Sequence, residues 1–398
     1  MKSILHNVAI ALSILFLIGC KEDPNKAEDP IQVKLVEIKA EYAPDKRVAL
    51  FDVRAEEEDE KYILKGESNL PEAVKALKTN LVADSIAFID SIQLLPADYL
   101  GKNTMAIINN SVANLRSKPG HSSELATQAT LGTIVKVYKK EDNWYFVQTP
   151  DRYLAWVDAG GIELADRQKA ENWNNDEKII YTQTYGHAYL GPDSDAPIVS
   201  DLTAGNLLTI VKYANENFIV RFPDGRNAYV RSNEADPYSE WLKNLNATNE
   251  TLVATAQELM GIPYLWGGTS AKGVDCSGFT KTVYFLNGMV IPRDASQQVH
   301  TGIPVDSTRN FENLQKGDLL FFGRKATDST SEKVVHVGMW IGNNEFIHSS
   351  GKVHVSSMDG ASKNYDEYNL NRYLRTKHVF KQEGEGLIDL TQTLQFVD

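Results

Sequence analysis

Hydrophobic and polar positions near the start of the chain predict one strand and one helix. Residues Ile31 to Val36 alternate between apolar and polar side chains, which is typical of a strand. Leu70-Pro71-Glu72 opens a helical pattern with proline near its start. Its apolar positions are Val74, Leu77, Leu81 and Ile86. We therefore predict a small N-terminal domain over residues 31–100, either α+β or helical, in which no chemistry is visible.

A repeat with an offset of 73 residues occupies the middle of the chain. The aligned segments are Gly132 with Gly205, Pro150-Asp151 with Pro223-Asp224, and Ala155-Trp156-Val157 with Ala228-Tyr229-Val230. Both copies break short strand-like runs with Gly, Pro and Asp turns, which is typical of small β-barrels. The first copy resembles a bacterial SH3-like domain, and another small barrel or sandwich is the alternative. We predict two such domains, over residues 101–165 and 166–240, suited to binding or positioning.

Helical periodicity precedes strand-like runs in the last third of the chain. Thr251 to Met260 predicts an amphipathic helix, and a second apolar-periodic stretch follows Cys276. The strand-like runs come later: Asp318 to Phe322, Val334 to Ile341 and Glu345 to His348. Helices followed by a sheet predict an α+β domain, which we place at residues 245–385.

Composition and charge exclude several functions. The chain has 398 residues, enough for two to four domains, and its net charge of −12 argues against nucleic acid as a ligand. Its two cysteines, Cys20 and Cys276, are too few for a disulfide framework or a cysteine-rich zinc site. No Walker loop, HExxH motif or dinucleotide fingerprint occurs, so we predict no cofactor.

The first cysteine ends a segment that is typical of an export signal. Lys2 precedes a short apolar run, Val8 to Ile18, which is too short for a permanent membrane span. The ending Leu17-Ile18-Gly19-Cys20 resembles a bacterial lipobox. This implies a signal peptide over residues 1–19, lipidation of Cys20 and a charged tether over residues 20–30; a signal peptide that merely ends in cysteine is the alternative. We expect an exported bacterial lipoprotein, anchored through Cys20 in the outer membrane on its periplasmic or surface face.

The second cysteine has the surroundings of a nucleophile. Cys276 lies in Val274-Asp275-Cys276-Ser277-Gly278-Phe279, after the glycine-rich approach Pro263-Tyr264-Leu265-Trp266-Gly267-Gly268. At a helix start, free N–H groups and the helix dipole stabilise a thiolate and can hold an oxyanion. Asp275 can cap such a helix. A buried, inert cysteine is the alternative.

Two histidines are candidates for the groups that assist Cys276. His336 lies inside an apolar strand-like run, and His348 ends the next one, across the turn Gly342-Asn343-Asn344. Histidines on paired strands can lie side by side, and a nucleophilic cysteine needs a base that a third group orients. We therefore hypothesise a Cys–His–His site without metal, with zinc bound by the same three side chains as the alternative. His300 and His354 are interpreted as surface or loop residues.

These motifs together resemble one family. The Asp275 to Phe279 box, His336-Val337-Gly338 and Ile347-His348 resemble the NlpC-type cell-wall cysteine peptidases, which have a papain-like fold. With two SH3-like domains ahead, residues 103–381 resemble the γ-D-glutamyl-L-diamino-acid endopeptidases, also called dipeptidyl-peptidase VI. The resemblance implies that Cys276 is the nucleophile, His336 the base and His348 the orienting group. It also implies that the substrates are peptidoglycan-derived peptides with a free N-terminal L-Ala, cut after the γ-linked D-Glu.

The resemblance also implies a set of substrate-binding residues. A carboxylate at one end of the cleft would pair with the ammonium group of the substrate and reject longer peptides, and Asp275 is the candidate within the catalytic domain. Glu124 and Tyr153, in the first SH3-like domain, fall where the subgroup's substrate-restricting residues fall. The other expected cleft residues are Tyr264, Trp266, Ser277 and Ser296. Two functions stay open as alternatives, an inactive cell-wall-binding lipoprotein and an enzyme for another acyl substrate.

Overall fold

The computed structural model describes residues 29–59, 61–193 and 195–392. The expected signal peptide, Cys20 and most of the expected tether lie outside the described residues. Asp29 and Pro30, the last two residues of that tether, already belong to the start of the first helix. In the described part of the chain, no helix is long and apolar enough to cross a membrane.

The N-terminal unit contains two helices and a three-stranded sheet, so it is α+β rather than helical. Its elements are α1 (Pro30–Tyr42), β1 (Phe51–Glu58), β2 (Lys61–Ser68), α2 (Pro71–Ala83) and β3 (Phe88–Leu94). Strands β1 and β2 are antiparallel, whereas β3 returns parallel to β2 after α2. The helix predicted from Leu70 is confirmed as α2, which ends before Ile86.

The strand predicted over Ile31 to Val36 is wrong, because these residues belong to α1. The carboxylate of Asp29 accepts a hydrogen bond from the backbone N–H of Ile31 at 3.1 Å, and Pro30 takes the first helical position. The buried residues are Ile31, Leu35 and Ile38, which lie on one face of a helix. Six residues of alternation fit a strand as well as a helix, and here the Asp29 cap and the burial of one face favour the helix.

Two seven-stranded sheets follow, and they form the first and second β units. The first β unit contains β4 (Met105–Ile108), β5 (Val112–Arg116), β6 (Leu125–Thr130), β7 (Ile134–Glu141), β8 (Trp144–Gln148), β9 (Leu154–Asp158) and β10 (Ile162–Ala165). After α3 (Arg167–Asn175), the second contains β11 (Lys178–Tyr181), β12 (Gly186–Tyr189), β13 (Ile198–Leu202), β14 (Leu207–Ala214), β15 (Asn217–Arg221), β16 (Asn227–Arg231) and β17 (Ala235–Pro237).

The strand order of the two β units confirms the repeat. The first sheet runs β10-β4-β7-β8-β9-β5-β6, and the second, read from its other end, runs β17-β11-β14-β15-β16-β12-β13. Each strand of the first unit therefore has a counterpart with the same neighbours in the second. The hydrophobic cores of the two units are built from the same alternating strand positions, such as Val147 and Val220.

The C-terminal unit packs a helix that begins at Cys276 against a six-stranded antiparallel sheet. Its elements, after the linking helix α4 (Tyr238–Asn244), are α5 (Asn249–Glu258), β18 (Thr269–Ser270), β19 (Gly273–Val274), α6 (Cys276–Phe285), β20 (Met289–Val290), α7 (Ala295–Gln298), β21 (Ile303–Asp306), β22 (Leu319–Arg324), β23 (Lys333–Gly342), β24 (Glu345–Ser350), β25 (Lys352–Ser357), α8 (Glu367–Asn371), β26 (Tyr373–His378) and β27 (Ile388–Asp389). The large sheet has the order β21-β26-β22-β23-β24-β25. The predicted helix and the three predicted strands are confirmed as α5, β22, β23 and β24.

The position of α6 brings its first residue to the strands that carry the histidines. Phe279 and Val283 of α6 are fully buried, and they share one core with Val337 of β23 and Ile347 of β24. Strands β23 and β24 are paired, so His336 and His348 lie on neighbouring strands under the helix. The order of helix and sheet predicted from the sequence therefore assembles the three candidate residues.

Candidate active site

The start of α6 is capped by the residue that precedes Cys276. Asp275 is the N-cap, and its Oδ1 accepts a hydrogen bond from the backbone N–H of Gly278 at 2.7 Å. This confirms that Asp275 caps the helix. Gly278 has no room for a side chain, since a Cβ there would lie 1.9 Å from the carbonyl oxygen of Gly268. The glycine-rich approach and the helix start are thus packed directly against each other.

The thiol of Cys276 is buried beside the strand that carries His336. Only 8% of Cys276 is exposed, and it shares a hydrophobic core with Val337, the residue after His336. Burial, with the negative charge of Asp275 adding to it, raises the pKa of the thiol to about 11. The expected stabilisation of the thiolate is therefore outweighed by burial, and the resting group is a protonated thiol.

The two histidines form a hydrogen-bonded pair. His336 Nε2 lies 2.7 Å from His348 Nδ1, and His348 Nε2 lies 3.0 Å from Ser356 Oγ. For His336 to accept a proton at Nδ1, its Nε2 must carry the hydrogen and donate it to His348. His348 then carries its own hydrogen on Nε2 and donates it to Ser356. The prediction that the two histidines lie side by side is confirmed, and Ser356 is a further member of the chain of hydrogen bonds.

Both imidazoles are neutral because the sheet buries them. His336 is 7% exposed and His348 is 1% exposed, and the rings of Phe322 and Phe346 pack against them. Burial lowers the pKa of His336 to about 3 and that of His348 to about 2. A protonated thiol beside a neutral imidazole is a proton-transfer pair in which the imidazole can accept the thiol proton during attack.

The neutral histidines predict acid sensitivity of the folded state. Between about pH 6.5 and pH 3 the unfolded chain binds protons at these two positions, and the folded protein does not. The free energy of unfolding should therefore fall as the pH falls, by up to about 1.4 kcal/mol per pH unit for each histidine. Urea denaturation at several pH values measures this slope.

A matched pair of variants isolates the histidine contribution. His336→Gln should flatten the slope, whereas His121→Gln should leave it unchanged because the His121 side chain is 80% exposed. An equal slope in the wild type and in His336→Gln would contradict the assignment of a buried neutral histidine.

The carboxylate of Asp275 is already saturated with hydrogen bonds. Arg293 donates to both of its oxygens, at 3.1 and 2.6 Å, and is itself only 1% exposed. Three further donors are the backbone N–H groups of Gly267 and Gly278 and the hydroxyl of Ser277. These five bonds occupy the acceptor positions of the carboxylate. Asp275 therefore holds the approach loop and the helix start together, and its expected contact with a substrate ammonium stays a prediction.

The first β unit reaches the C-terminal unit with both of its predicted substrate residues. Glu124 Oε1 accepts a hydrogen bond from Trp266 Nε1 at 2.7 Å, and Tyr153 Oη lies 3.1 Å from Asp294 Oδ2. Trp266 is 61% exposed and directly precedes Gly267, which binds Asp275. Gly267 has φ +81°, and a Cβ there would lie 2.2 Å from the carbonyl oxygen of Leu125. The absence of a side chain at Gly267 is what allows this close approach of the two units.

The remaining predicted cleft residues are Tyr264, Ser277 and Ser296, and each lies beside a residue of the site or of the units that adjoin it. Burial, and after it the proximity of Cys276, raises the pKa of Tyr264 to about 12, so this phenol stays protonated. Ser277 Oγ accepts a hydrogen bond from Arg293 at 3.0 Å. Ser296 Oγ lies 2.8 Å from Nη1 of Arg47, which belongs to the N-terminal unit.

Four residues of this network were missed in the sequence. Arg293 and Asp294 lie in the segment Arg293-Asp294-Ala295-Ser296-Gln297, close to the predicted Ser296, but carry no motif of their own. Ser356 lies on β25, where only His354 was noted in the sequence, and Arg47 lies in a unit without visible chemistry. His354, interpreted as a surface or loop residue, lies on β25 directly opposite His348, with ring centroids 4.5 Å apart.

The hydrogen bonds of His348 also bear on the zinc alternative. Both of its ring nitrogens are engaged, one with His336 and the other with Ser356. A zinc ion on Cys276, His336 and His348 would have to displace one of these bonds. In residues 29–59, 61–193 and 195–392, no group of three or more His, Cys, Asp or Glu side chains is arranged to hold a metal ion.

A helix that begins at a buried cysteine and packs on an antiparallel sheet with paired histidines is the arrangement of a papain-like cysteine peptidase. Residues 261–374 match the NlpC/P60 family, and residues 115–162 match the bacterial dipeptidyl-peptidase Sh3 domain. The chain belongs to the NlpC/P60 family and is a cysteine peptidase with an SH3-like domain ahead of its α+β catalytic unit.

Curated relatives and solved structures agree with this membership. The chain is 32% identical over 237 residues to the gamma-D-glutamyl-L-lysine dipeptidyl-peptidase of Bacillus cereus, covering 58% of this chain and 68% of the relative. It is 28% identical over 263 residues to dipeptidyl-peptidase 6 of Lysinibacillus sphaericus, covering 64% of this chain and 92% of the relative. The crystal structure of an NlpC/P60 family protein from Bacillus cereus superimposes with a TM-score of 0.58 at 25% identity, covering 69% of this chain and 99% of that one.

Proposed function

We propose that this protein hydrolyses the bond between γ-linked D-Glu and the diamino acid in peptidoglycan stem peptides that have a free N-terminal L-Ala. Support for the reaction comes from the buried Cys276 beside the His336–His348 pair. Support for the substrate comes from the names of the relatives and from the contacts of Glu124 and Tyr153 with the C-terminal unit. The contacts of Glu124 and Tyr153 carry the proposal, because they support a cleft that includes two polar side chains of the first β unit.

The proposed chemistry follows from the protonation states of the resting site. His336 takes the proton of the Cys276 thiol through Nδ1 as the sulfur attacks the γ-glutamyl carbonyl. The backbone N–H groups of Cys276 and Ser277 stabilise the oxyanion, because the first N–H groups of a helix have no partners within it and that of Gly278 already donates to Asp275. His336 then protonates the leaving amine, and His348 keeps its imidazole in the required tautomer. Water releases the acyl-enzyme and restores the thiol.

Glu124 and Tyr153 are proposed to recognise the free amine of the substrate. Glu124 is exposed and uses Oε1 to bind Trp266, so its charge is accessible from the cleft. A carboxylate pairs strongly with an ammonium group and rejects an amide in the same place. A longer peptide, or one that is still attached to glycan, would bring such an amide instead of the ammonium.

The proposed activity can be tested with two peptides and mass spectrometry. One is L-Ala-γ-D-Glu-diaminopimelate with a free amine, and the other is the same peptide with an acetylated amine. We expect cleavage of the free peptide alone. Cleavage of both would keep the peptidase and exclude a role for the amine, and cleavage of neither would refute the proposed substrate.

Removing either amine-recognising group should relax the selectivity. Glu124→Ala or Tyr153→Phe is expected to lower the preference for the free peptide over the acetylated one by about tenfold, the size of one charge-assisted hydrogen bond. Glu163→Gln, in the same β unit, is a control because its carboxylate pairs with Lys169 on the surface. Unchanged selectivity in both cleft variants would assign Glu124 and Tyr153 to packing.

We also propose that the protein acts outside the cytoplasm as a lipoprotein anchored through Cys20. The support is the lipobox-like ending of residues 1–20. Metabolic labelling with a palmitate analogue should label the wild type, and Cys20→Ser should lose the label. A labelled Cys20→Ser protein would refute the anchor.

A further inference from the structure

The loop between α1 and β1 carries an arginine from the N-terminal unit to the C-terminal unit. Arg47 Nη1 lies 2.7 Å from Asp294 Oδ2 and 2.8 Å from Ser296 Oγ. Asp294 is the N-cap of α7, and Ser296 is one of the predicted cleft residues. The N-terminal unit, to which the sequence assigns no chemistry, therefore contacts the same cluster as Tyr153.

Arg47 is held in place from several sides. Asp45 accepts hydrogen bonds from its Nε and Nη2, at 2.8 and 2.7 Å, and Gln297 donates to Asp45 at 2.8 Å. The backbone carbonyl of Arg47 accepts a bond of 2.7 Å from the N–H of Leu154, the residue after Tyr153. The guanidinium fork is thus oriented by Asp45 on one edge and presented to Asp294 on the other.

The contact with Asp294 determines what the Tyr153 hydroxyl can do. Tyr153 donates its only hydroxyl hydrogen to the same oxygen of Asp294 that Arg47 binds. Burial and the charge of Asp294 raise the pKa of Tyr153 well above its ordinary value, so the hydrogen is retained. The phenol oxygen then has only lone pairs for another partner, and it accepts a hydrogen bond from a donor such as an ammonium group.

We propose that Arg47 is a positioning residue for recognition of the substrate's amino terminus, because it holds Asp294 against Tyr153 beside Ser296. This inference rests on the proposed function, since it concerns the end of the cleft that takes the free amine. It makes the N-terminal unit a part of the cleft rather than a separate binding module. Arg47 acts through Asp294 and Tyr153, so its loss affects binding of the amine and leaves the chemistry at Cys276 unchanged.

The test compares Arg47→Ala and Arg47→Lys with the wild type, as full chains, on the free and the acetylated peptide. In Arg47→Ala we expect KM for the free peptide to rise about tenfold, the size of one lost charge-assisted bond, with kcat close to that of the wild type. The preference for the free peptide should fall by a similar factor. Arg47→Lys keeps a positive charge beside Asp294 but lacks the planar guanidinium, so its KM should lie between those of the wild type and Arg47→Ala.

Glu67→Gln is the matched control, because it tests whether weaker contact of the N-terminal unit with the rest of the protein is enough to raise KM. Glu67 of the N-terminal unit pairs with Lys139 of the first β unit, and both side chains are 23% exposed. This variant removes a charged contact of the N-terminal unit with the first β unit, without involving Asp294 or Ser296. We expect wild-type KM and wild-type selectivity.

Each outcome separates this inference from the proposed function. An unchanged KM and selectivity in Arg47→Ala, beside a wild type that cuts the free peptide, would overturn the inference alone. Equal increases of KM in Arg47→Ala and Glu67→Gln would also overturn it, because contact between the units would then explain the effect. A wild type that cuts neither peptide would remove the proposed function and this inference together, and that result is visible without any variant.

Discussion

Cys276→Ala should abolish cleavage of the free peptide and leave its binding intact. Without the sulfur there is no atom to form the acyl-enzyme, and loss of a nucleophile lowers kcat by about 10⁴-fold or more. Cys276 is 8% exposed, and its replacement by alanine removes only the sulfur atom from the core. We therefore expect the fold to be retained. Cleavage is followed by mass spectrometry, and binding by isothermal titration calorimetry.

The chain offers its own control for this substitution. Cys20 is the other cysteine, so Cys20→Ala should leave cleavage by the purified protein unchanged. Cys276→Ser tests the chemistry further, because a hydroxyl fits the site but is a weaker nucleophile at neutral pH. Turnover by Cys276→Ala at a rate near that of the wild type would show that another group attacks the peptide.

Arg293→Met should cause the largest loss of stability among the substitutions considered. Arg293 is 1% exposed and donates to both oxygens of Asp275, so its removal leaves a buried carboxylate without its countercharge. Breaking a buried pair in this way costs about 3–5 kcal/mol of the free energy of unfolding. Activity should fall as well, because Asp275 caps α6 and binds Gly267 in the approach loop. Urea denaturation measures the first effect and peptide cleavage the second.

Two further variants decide whether the unpaired charge is the cause. Arg226→Met breaks a pair with Asp224 in which the side chains are 43% and 24% exposed, and exposed pairs contribute about 1 kcal/mol or less. Asp275→Asn combined with Arg293→Met removes the unpaired charge and should recover part of the lost stability. If Arg293→Met costs no more than Arg226→Met, the buried pair does not hold the site together.

Local sequence predicted most of the elements that build the site. The capped start of α6 and the helix from Thr251 depend on bonds between residues close in sequence. The strand-like runs around His336 and His348 are recognised from their apolar pattern. The error at Ile31 to Val36 has the opposite origin. A short alternating segment fits a strand and a helix equally well, and the buried face of α1 is defined by its contacts with α2 and the sheet of the N-terminal unit.

The sequence motifs identified Cys276, His336 and His348, but not the residues that surround them. Arg293 reaches Asp275 across 18 positions and Arg47 reaches Asp294 across 247, and no local pattern marks either contact. Ser356 joins the histidine pair only because β25 lies beside β24. Partners that meet through strand order or through contacts between units have no signal in a single sequence.

By itself, the sequence determined the repeat and the helix start at Cys276, because both show in local patterns, and it indicated the three residues of the candidate catalytic site through motifs that resemble one family. Only the tertiary structure decided the state in which those residues rest. Burial keeps the thiol protonated and both imidazoles neutral, and the fold pairs Asp275 with Arg293. Desolvation and pairing of charges depend on everything packed around a group, so they arise when the units come together.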